Sequence, residues 1–146
     1  SLHEHYMKNQ DCIFCKIAEG KIPAAKVYED KTVIGFLDIM PANQGHCLII
    51  PKKHYEMLID IPDNDLSKIM IAAKKIAKAL SLATANEGYN IVMNNGKVAG
   101  QVVFHSHLHV IPRFKDDGHN IKWEHMHYQG NQMHEMAEKI KKFISE

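Results

Sequence analysis

The sequence has no long hydrophobic run, and that absence argues against a membrane-spanning helix. None of its apolar segments approaches the ~18 residues that a span requires. An excess of charge of one sign is also missing, because 18 basic and 17 acidic residues leave a formal net charge of +1. Without a strong global field, neither nucleic acid nor an anionic membrane surface is an expected partner.

Cysteine is scarce as well. The chain has three cysteines, an odd number that does not make a disulfide framework. The amino end lacks the pattern of a secretory signal. We therefore expect a reducing, cytoplasmic setting for this protein.

The length and composition predict one globular domain. A chain of 146 residues, 45% hydrophobic and 24% charged, can form a core of ordinary size without disulfides. Residues 1–6 resemble the remnant of an expression tag before a natural start at Met7. We therefore expect residues 7–146 to form the single domain.

Hydrophobic patterns predict five strands and two main helices. A helical period runs over residues 62–86, with Asp63 or Asp65 as the cap and Gly88 as the stop. A second amphipathic helix is predicted over 131–144. Strands are predicted at 24–30, 31–38, 46–51, 89–94 and 102–111. Short strands in hairpin-like order with one long crossover helix indicate an α+β fold with a mostly antiparallel five-stranded sheet.

Three histidines alternate in the segment HSHLHVI at residues 105–111. Because strand side chains alternate between faces, His105, His107 and His109 are expected to share one face and to point away from the core. The opposite face is nearly all apolar and carries Val102, Phe104, Ser106, Leu108 and Val110. Two interpretations remain open: the histidines bind one metal ion, or one imidazole is a nucleophile whose neighbours shape its pKa. The histidines without coherent spacing to these three are taken as surface or dimer-edge residues: His119, His125, His127 and His134.

A second candidate site is the Cys-x-x-Cys formed by Cys12 and Cys15. This spacing alone is compatible with a zinc site, a redox pair or chance. A structural zinc site needs about four ligands, so two further ligands would have to come from elsewhere in the chain.

Several separated segments resemble one known family. They are CIFCKIAEGKIPAAKVYED at 12–30, FLDIMPANQGHCLIIPKKH at 36–54, Asn94 through Gln101, and HSHLHVI at 105–111. Their order and spacing are similar to those of the histidine-triad superfamily, in the branch of nucleoside phosphoramidases and small bacterial members. The resemblance covers residues 12–113, the expected core, and leaves 114–146 as a C-terminal extension.

The resemblance implies a nucleotide hydrolase or transferase that acts at an α-phosphate. His107 would attack the phosphorus of a nucleoside 5′-phosphoramidate or a dinucleoside polyphosphate, and water would then release the nucleoside monophosphate. His109 would help the leaving group depart, and His46 would be the supporting histidine. The alternatives are a nucleotide-binding interaction module with incidental catalysis and a metallohydrolase with zinc on all three triad histidines.

The resemblance also implies a nucleotide pocket, usually for a purine. Asp38 would hold the ribose hydroxyls, and Val102 stands where family members often have a serine, which puts one contact to the phosphate in doubt. The apolar walls are expected from Phe14, Ile17, Phe36 and Leu37, and the phosphate loop from Asn94, Gly100 and Gln101.

A structural zinc ion and a homodimer complete what the resemblance implies. Some bacterial relatives place zinc on a Cys, Cys, His, His set, which corresponds here to Cys12, Cys15, His54 and His105. Such a zinc would fix the start of the histidine strand rather than act as a Lewis acid. The family is typically a homodimer whose sheets join into one continuous sheet.

Overall fold

The structure is a computed structural model that describes residues 11–144, so the predicted tag remnant at 1–6 lies outside the described residues. Within this range the α-helices are α1 (Ile13–Ala18), α2 (Asp63–Thr84) and α3 (Gln132–Ile144). The strands are β1 (Lys26–Glu29), β2 (Val33–Leu37), β3 (Cys47–Pro51), β4 (Gly88–Val92) and β5 (Leu108–Arg113). Short 3₁₀ turns lie at Leu58–Asp60 and Lys97–Ala99.

The strands form one sheet in the order β1-β2-β3-β5-β4, and every neighbouring pair is antiparallel. After β3 the chain crosses through α2 to the edge strand β4, and it then returns as β5 between β3 and β4. This arrangement confirms the predicted α+β fold with an antiparallel five-stranded sheet. It places β5, which carries His109, in the interior of the sheet beside β3.

The larger core lies between α2 and one face of the sheet. The helix contributes a stripe of small and branched side chains, Ile69, Ala72, Ala73, Ile76, Ala77 and Leu80. The strands contribute Val33, Cys47, Ile49, Leu108 and Val110. Gly35 of β2 permits the close approach of the helix, because an added Cβ would lie 2.7 Å from Ile76 Cδ1.

A second core covers the opposite face of the sheet. Phe14 of α1 packs there with apolar side chains of β2 and β3. Both strands are therefore buried on two faces, in agreement with their continuous apolar sequences. The histidine segment lies on this second face. The histidines therefore point away from the α2 core, as the alternation predicts, but the rings of His105 and His107 are buried against Phe14 in the second core.

The histidine strand is shorter than predicted. β5 begins at Leu108, and residues 102–107 bend away instead of extending the strand. The backbone N–H of Ser106 donates to a loop carbonyl rather than to a neighbouring strand. Val102 and Phe104 are consequently exposed, against the expectation that they share a core face with the residues of β5. Alternation of buried and half-buried residues holds within β5 itself.

The long helix agrees with the predicted range but not with the predicted ends. Pro62 precedes the first turn, and Asp63 and Asp65 lie inside that turn rather than at the cap. Ala85 follows the last turn in the left-handed conformation, with φ 55°. Gly88 therefore does not stop the helix and instead begins β4.

The second predicted helix is present as α3, at the end of an exposed arm formed by residues 118–144. Its apolar side chains, among them Met136, Ile140 and Phe143, face solvent rather than the sheet. Between residues 11 and 144, no helix has the length and apolar character needed to cross a bilayer.

Candidate active site

His107 lies in the bend just before β5, with its buried ring 5.1 Å from that of Phe14 between centroids. Its Nδ1 lies 2.8 Å from the carbonyl oxygen of His105 and donates to it, because a carbonyl only accepts. The neutral ring therefore keeps a lone pair on Nε2. Burial lowers the pKa of His107 from its ordinary value, so the neutral form predominates near pH 7. The ring can act as a nucleophile through Nε2.

His109 and His46 form a directly hydrogen-bonded pair beside His107. His46 Nε2 lies 2.9 Å from His109 Nδ1, and the rings of His109 and His107 have centroids 5.0 Å apart. The backbone N–H of Ala42 donates to His46 Nδ1 at 3.0 Å, so the proton of neutral His46 lies on Nε2. That proton is donated to His109 Nδ1, which leaves the proton of His109 on Nε2. The site thus contains a lone pair on His107 and a donor on His109.

Burial keeps the histidine pair neutral. It lowers the pKa of His109 to about 4, with smaller contributions from His107 and His46. It also lowers the pKa of His46, against the opposing effect of Asp38, whose Oδ2 lies 3.8 Å from His46 Nε2. The other oxygen of Asp38 accepts the backbone N–H of Met40 at 2.9 Å. The predicted ribose carboxylate therefore lies next to the histidine pair, in a position fixed by its own loop.

The four predicted zinc ligands converge in the structure. One ligand atom from each residue lies within 4.8 Å of the others: Cys12, Cys15, His54 and His105. The Sγ atoms of Cys12 and Cys15 lie 3.3 and 3.5 Å from His105 Nδ1, and Cys15 Sγ lies 3.3 Å from His54 Nδ1. Tetrahedral zinc with ordinary bond lengths separates its sulfur and nitrogen ligands by about 3.6 Å. The arrangement therefore fits a structural site with two sulfur and two nitrogen ligands.

The protons of this cluster also fit a metal site. His105 Nε2 donates to the carbonyl of Pro51 at 2.7 Å, so its Nδ1 keeps a lone pair toward the cysteines. Burial lowers the pKa of His105 to about 4, which keeps the ring neutral as a ligand must be. Burial and the neighbouring Cys12 raise the pKa of the Cys15 thiol to about 12, so metal binding would release its proton.

A second group of possible ligands, Asp38, His46 and His109, fits a metal poorly. Their ligand atoms also lie within 4.8 Å of one another. However, the N–H of Ala42 donates to His46 Nδ1 and so fixes the proton on Nε2. Histidine ligands of metals ordinarily donate from the second ring nitrogen, which is the opposite pattern. The triad histidines also have different partners, since His105 faces the cysteines and His109 faces His46. This division argues against one metal ion on all three triad histidines.

Of the four apolar side chains predicted to line the nucleotide pocket, three lie together and the fourth does not. Phe14, Ile17 and Phe36 are buried in the second core, on the side of the sheet that carries His107. Leu37 lines a cavity against α2 on the other side of the sheet. Because consecutive strand residues point to opposite faces, the side chain of Leu37 is not placed to form a wall with Phe36.

Gln101 shapes the predicted phosphate loop from inside. Its buried Oε1 accepts the backbone N–H of Gly96 at 2.8 Å. Its Nε2 donates to the carbonyls of Glu56 and Val103 at 2.6 and 3.1 Å. The amide is therefore engaged with the backbone on both sides, which ties the loop to the segment after His54.

The other predicted loop residues lie nearer the surface. Gly100 adopts φ 97°, a conformation that favours glycine, and a Cβ there would lie 3.6 Å from Asn94 Nδ2. Val102 is 85% exposed, so it offers apolar surface where a serine would offer a hydroxyl.

Sequence reasoning missed the contacts that hold His46. The carbonyl of Ala42 accepts from His119 Nε2 at 2.7 Å, across 77 positions of the chain. The spacing of His119 indicates only a surface residue, and the residue is indeed exposed, yet its ring is engaged. No local signal could reveal this contact, because a backbone carbonyl has no sequence signature.

The chain is similar in sequence and in fold to several known proteins. The family model described as the HIT domain matches residues 19–116. The adenosine 5′-monophosphoramidase of Candida albicans is 42% identical over 140 residues, which cover 92% of this chain and 91% of that protein. A crystal structure from Streptococcus mutans has a TM-score of 0.87 at 42% identity, covering 92% of this chain and 85% of the other. A zinc-bound histidine triad family protein from Mycobacterium smegmatis has a TM-score of 0.73 at 39% identity, covering 80% of this chain and 84% of the other.

Proposed function

The chain belongs to the HIT domain family, and from that premise we propose that it is a nucleotide hydrolase acting on nucleoside 5′-phosphoramidates. The observation that carries the proposal is the pairing of a lone pair on His107 Nε2 with a proton on His109 Nε2. The activity named for the Candida albicans relative supports an amide leaving group and an adenosine, hence purine, nucleotide.

In the first step, His107 Nε2 forms a bond to the α-phosphorus, and the bond from phosphorus to the leaving nitrogen breaks. His109 passes its Nε2 proton to that nitrogen, so the amine leaves neutral, and the negative charge left on the His109 ring is balanced by the positive charge on the His107 ring until the second step. The hydrogen bond from His107 Nδ1 to the His105 carbonyl stabilises the positive charge that develops on the ring. The product is a nucleotidyl-His107 intermediate.

In the second step, water attacks the same phosphorus, and the bond to His107 Nε2 breaks. His109 takes a proton from that water and regains its Nε2–H. The nucleoside monophosphate leaves, and both rings return to their starting tautomers. His46 holds His109 in place through both steps by their 2.9 Å hydrogen bond.

The nucleotide itself would lie between the histidines and the surrounding loops. Asp38 would accept the ribose hydroxyls, since its carboxylate is half-buried beside the histidine pair. Asn94 and Gly100 would surround the phosphate, in a loop that Gln101 holds in shape. Phe14 would support the nucleophile from its buried side.

We also propose a structural zinc ion on Cys12, Cys15, His54 and His105. The donor set, the distances and the zinc-bound relative from Mycobacterium smegmatis support it. When bound, zinc would cross-link separate segments of the fold and would take no part in the reaction. Because the His105 carbonyl accepts the Nδ1 proton of His107, fixing His105 would also fix the orientation of the nucleophile.

We also propose a homodimer, because the two edge strands of the sheet differ in charge. β1 carries the charged residues Lys26 and Glu29, and charged side chains at an edge discourage pairing with another strand. β4 at the other edge reads GYNIV, without charge, and exposes Tyr89 and Ile91. We therefore assign β4 as the strand that pairs with a second copy, which would join the two sheets.

To test the catalytic proposal, the protein is mixed with adenosine 5′-phosphoramidate, and the reaction is then quenched in denaturant. The wild-type protein should release adenosine monophosphate and carry a transient adenylyl group on His107, detected by mass spectrometry. His107→Ala should lose at least about a thousandfold in kcat/KM, because no other ring replaces the nucleophile. His125→Ala, on the exposed arm, is the matched control and should keep full activity.

Other results of these assays would contradict the mechanism or favour one of the alternative functions. Full turnover by His107→Ala would contradict the mechanism. Nucleotide binding without turnover by the wild-type protein would indicate a nucleotide-binding module instead. A parallel assay with a dinucleoside polyphosphate compares the two kinds of leaving group. Faster turnover of the dinucleoside polyphosphate than of the phosphoramidate would make a nucleotide, rather than an amine, the proposed leaving group.

A further inference from the structure

Asp117, just past the family match that ends at residue 116, is the centre of a hydrogen-bond network. Its carboxylate accepts from Arg113 Nε at 2.8 Å and from Arg113 Nη2 at 3.0 Å, a two-pronged ion pair. It also accepts from the side chain of Asn43 at 2.9 Å and from the backbone N–H groups of Phe114 and His119 at 3.1 Å each. The Arg113 bonds and these further donors hold the pKa of Asp117 well below its usual range. Asp117 therefore stays ionised, and the network intact, at any ordinary pH.

This network is tied to the loop that holds His46. The side chain of Asn43 donates to Asp117, and the carbonyl of Asn43 accepts the backbone N–H of His46 at 3.1 Å. His119, whose backbone is bound to Asp117, donates from Nε2 to the carbonyl of Ala42 at 2.7 Å. Ala42 in turn donates its N–H to His46 Nδ1. Residues 42 and 43 thus connect Asp117 and His119 to both the backbone and the ring of His46.

A chain of two imidazoles can carry its protons in either of two directions. In the observed direction Ala42 donates to His46 Nδ1, His46 Nε2 donates to His109 Nδ1, and His109 keeps a proton on Nε2. In the reverse direction His46 would carry its proton on Nδ1 and accept from His109. His109 Nε2 would then have no proton to give. A backbone N–H held against His46 Nδ1 excludes the reverse direction, because two N–H groups cannot bond to each other.

We propose that Asp117 and His119 are positioning residues that set the proton direction of the His46–His109 pair through residues 42 and 43. The catalytic consequence rests on the proposed role of His109 as proton donor. The effect on the tautomers rests on the hydrogen bonds alone, so the two can be tested separately.

The first test measures ring tautomers by nitrogen-15 NMR in the protein without nucleotide. In the wild-type protein, His46 should carry its proton on Nε2 and not on Nδ1. Asp117→Asn and His119→Ala should each give a mixture of the two His46 tautomers. His119→Gln should restore the wild-type pattern, because its side-chain amide can donate to the same carbonyl. Asp116→Asn changes the adjacent exposed carboxylate and is the matched control, with an unchanged pattern expected.

The second test separates the proton from the rest of catalysis. With an adenosine 5′-phosphoramidate, Asp117→Asn and His119→Ala should lower kcat roughly tenfold at unchanged KM, since part of a general-acid contribution is lost. A nitrophenyl ester of adenosine monophosphate has a leaving group that departs without a proton. Both variants should hydrolyse this ester with nearly wild-type kcat.

Two results would overturn the proposal. One is an unchanged His46 tautomer in both variants. The other is an equal loss of kcat on the amide and the nitrophenyl ester, which would indicate general damage to the site. The tautomer measurement needs no turnover, so a failure of the proposed hydrolase activity leaves it valid. If Asp117→Asn does not fold, the comparison of His119→Ala with His119→Gln decides.

Discussion

At the scale of single residues, the site depends on which nitrogen of each imidazole holds a proton. The His105 carbonyl places the proton of His107 on Nδ1, and the N–H of Ala42 places that of His46 on Nε2. Backbone groups keep their donor or acceptor character at any pH. The tautomers are therefore set by the fold, while burial keeps the rings neutral.

The lowered pKa values of His109 and His46 predict a loss of stability in mild acid. Burial lowers the pKa of His109 to about 4 and also lowers the pKa of His46, whereas both titrate near 6.5 in the unfolded chain. The unfolded state therefore binds protons first, so this stability is complete above pH 6.5 and is lost as the pH falls toward 4. For His109 alone, the free energy of unfolding should fall by about 2 kcal/mol between about pH 8 and pH 5.

Urea titrations at several pH values measure this effect. His109→Gln should make the dependence of the unfolding free energy on pH less steep over this range, while the other buried histidines keep part of the slope. His125→Gln, on the exposed arm, should keep the wild-type dependence. The same slope in His109→Gln as in the wild-type protein would show that His109 does not cause the loss.

At the scale of elements, β4 decides whether the chain can pair with a second copy. Ile91 of β4 lies opposite Val110, on the face of the sheet that α2 covers, and is 40% exposed. Ile91→Lys places a charge at this edge, where pairing would bury it. The dimer dissociation constant, measured by sedimentation, should rise by about a hundredfold, because a symmetric interface contains the change twice.

The opposite edge provides the control for this prediction. Val27 of β1 is 50% exposed, so Val27→Lys introduces the same charge on an edge strand of comparable exposure. We expect that variant to keep the wild-type dissociation constant. A monomeric wild-type protein, or an Ile91→Lys variant as dimeric as the wild type, would refute the assignment of β4.

At the scale of the whole molecule, the cysteine–histidine cluster joins segments that are distant in the chain. Cys15 meets His54 across 39 positions, and Cys12 meets His105 across 93. A metal that binds only the folded chain adds its binding free energy to stability. Removing zinc with a chelator should therefore lower Tm by roughly 10 °C, the shift that a few kcal/mol produces in a domain of this size.

Cysteine variants separate the metal from general packing. Cys12→Ser should lose most of its zinc by elemental analysis, and its Tm should no longer respond to the chelator. Cys47→Ser removes a buried thiol of the α2 core, which donates to the Gly45 carbonyl at 3.2 Å, and should keep its zinc. A full zinc content in Cys12→Ser would rule out the proposed site.

The sequence by itself determined the class of the fold and most of its elements. The helical period over 62–86 and the continuous apolar residues of β2 and β3 were sufficient, because a hydrophobic period reports which faces must be buried. Motif resemblance also selected four potential zinc ligands that the fold brings together. These features belong to side-chain type and spacing, which are visible along the chain.

The tertiary structure alone decided how the three triad histidines divide their roles. Residues 102–107 bend out of the predicted strand, so His105 meets the cysteines while His109 meets His46. The proton positions depend on backbone groups brought back from distant segments, such as Ala42 beside His46 and His119. Backbone donors and acceptors are the same at nearly every residue, so only the folded path of the chain specifies which of them reaches each ring.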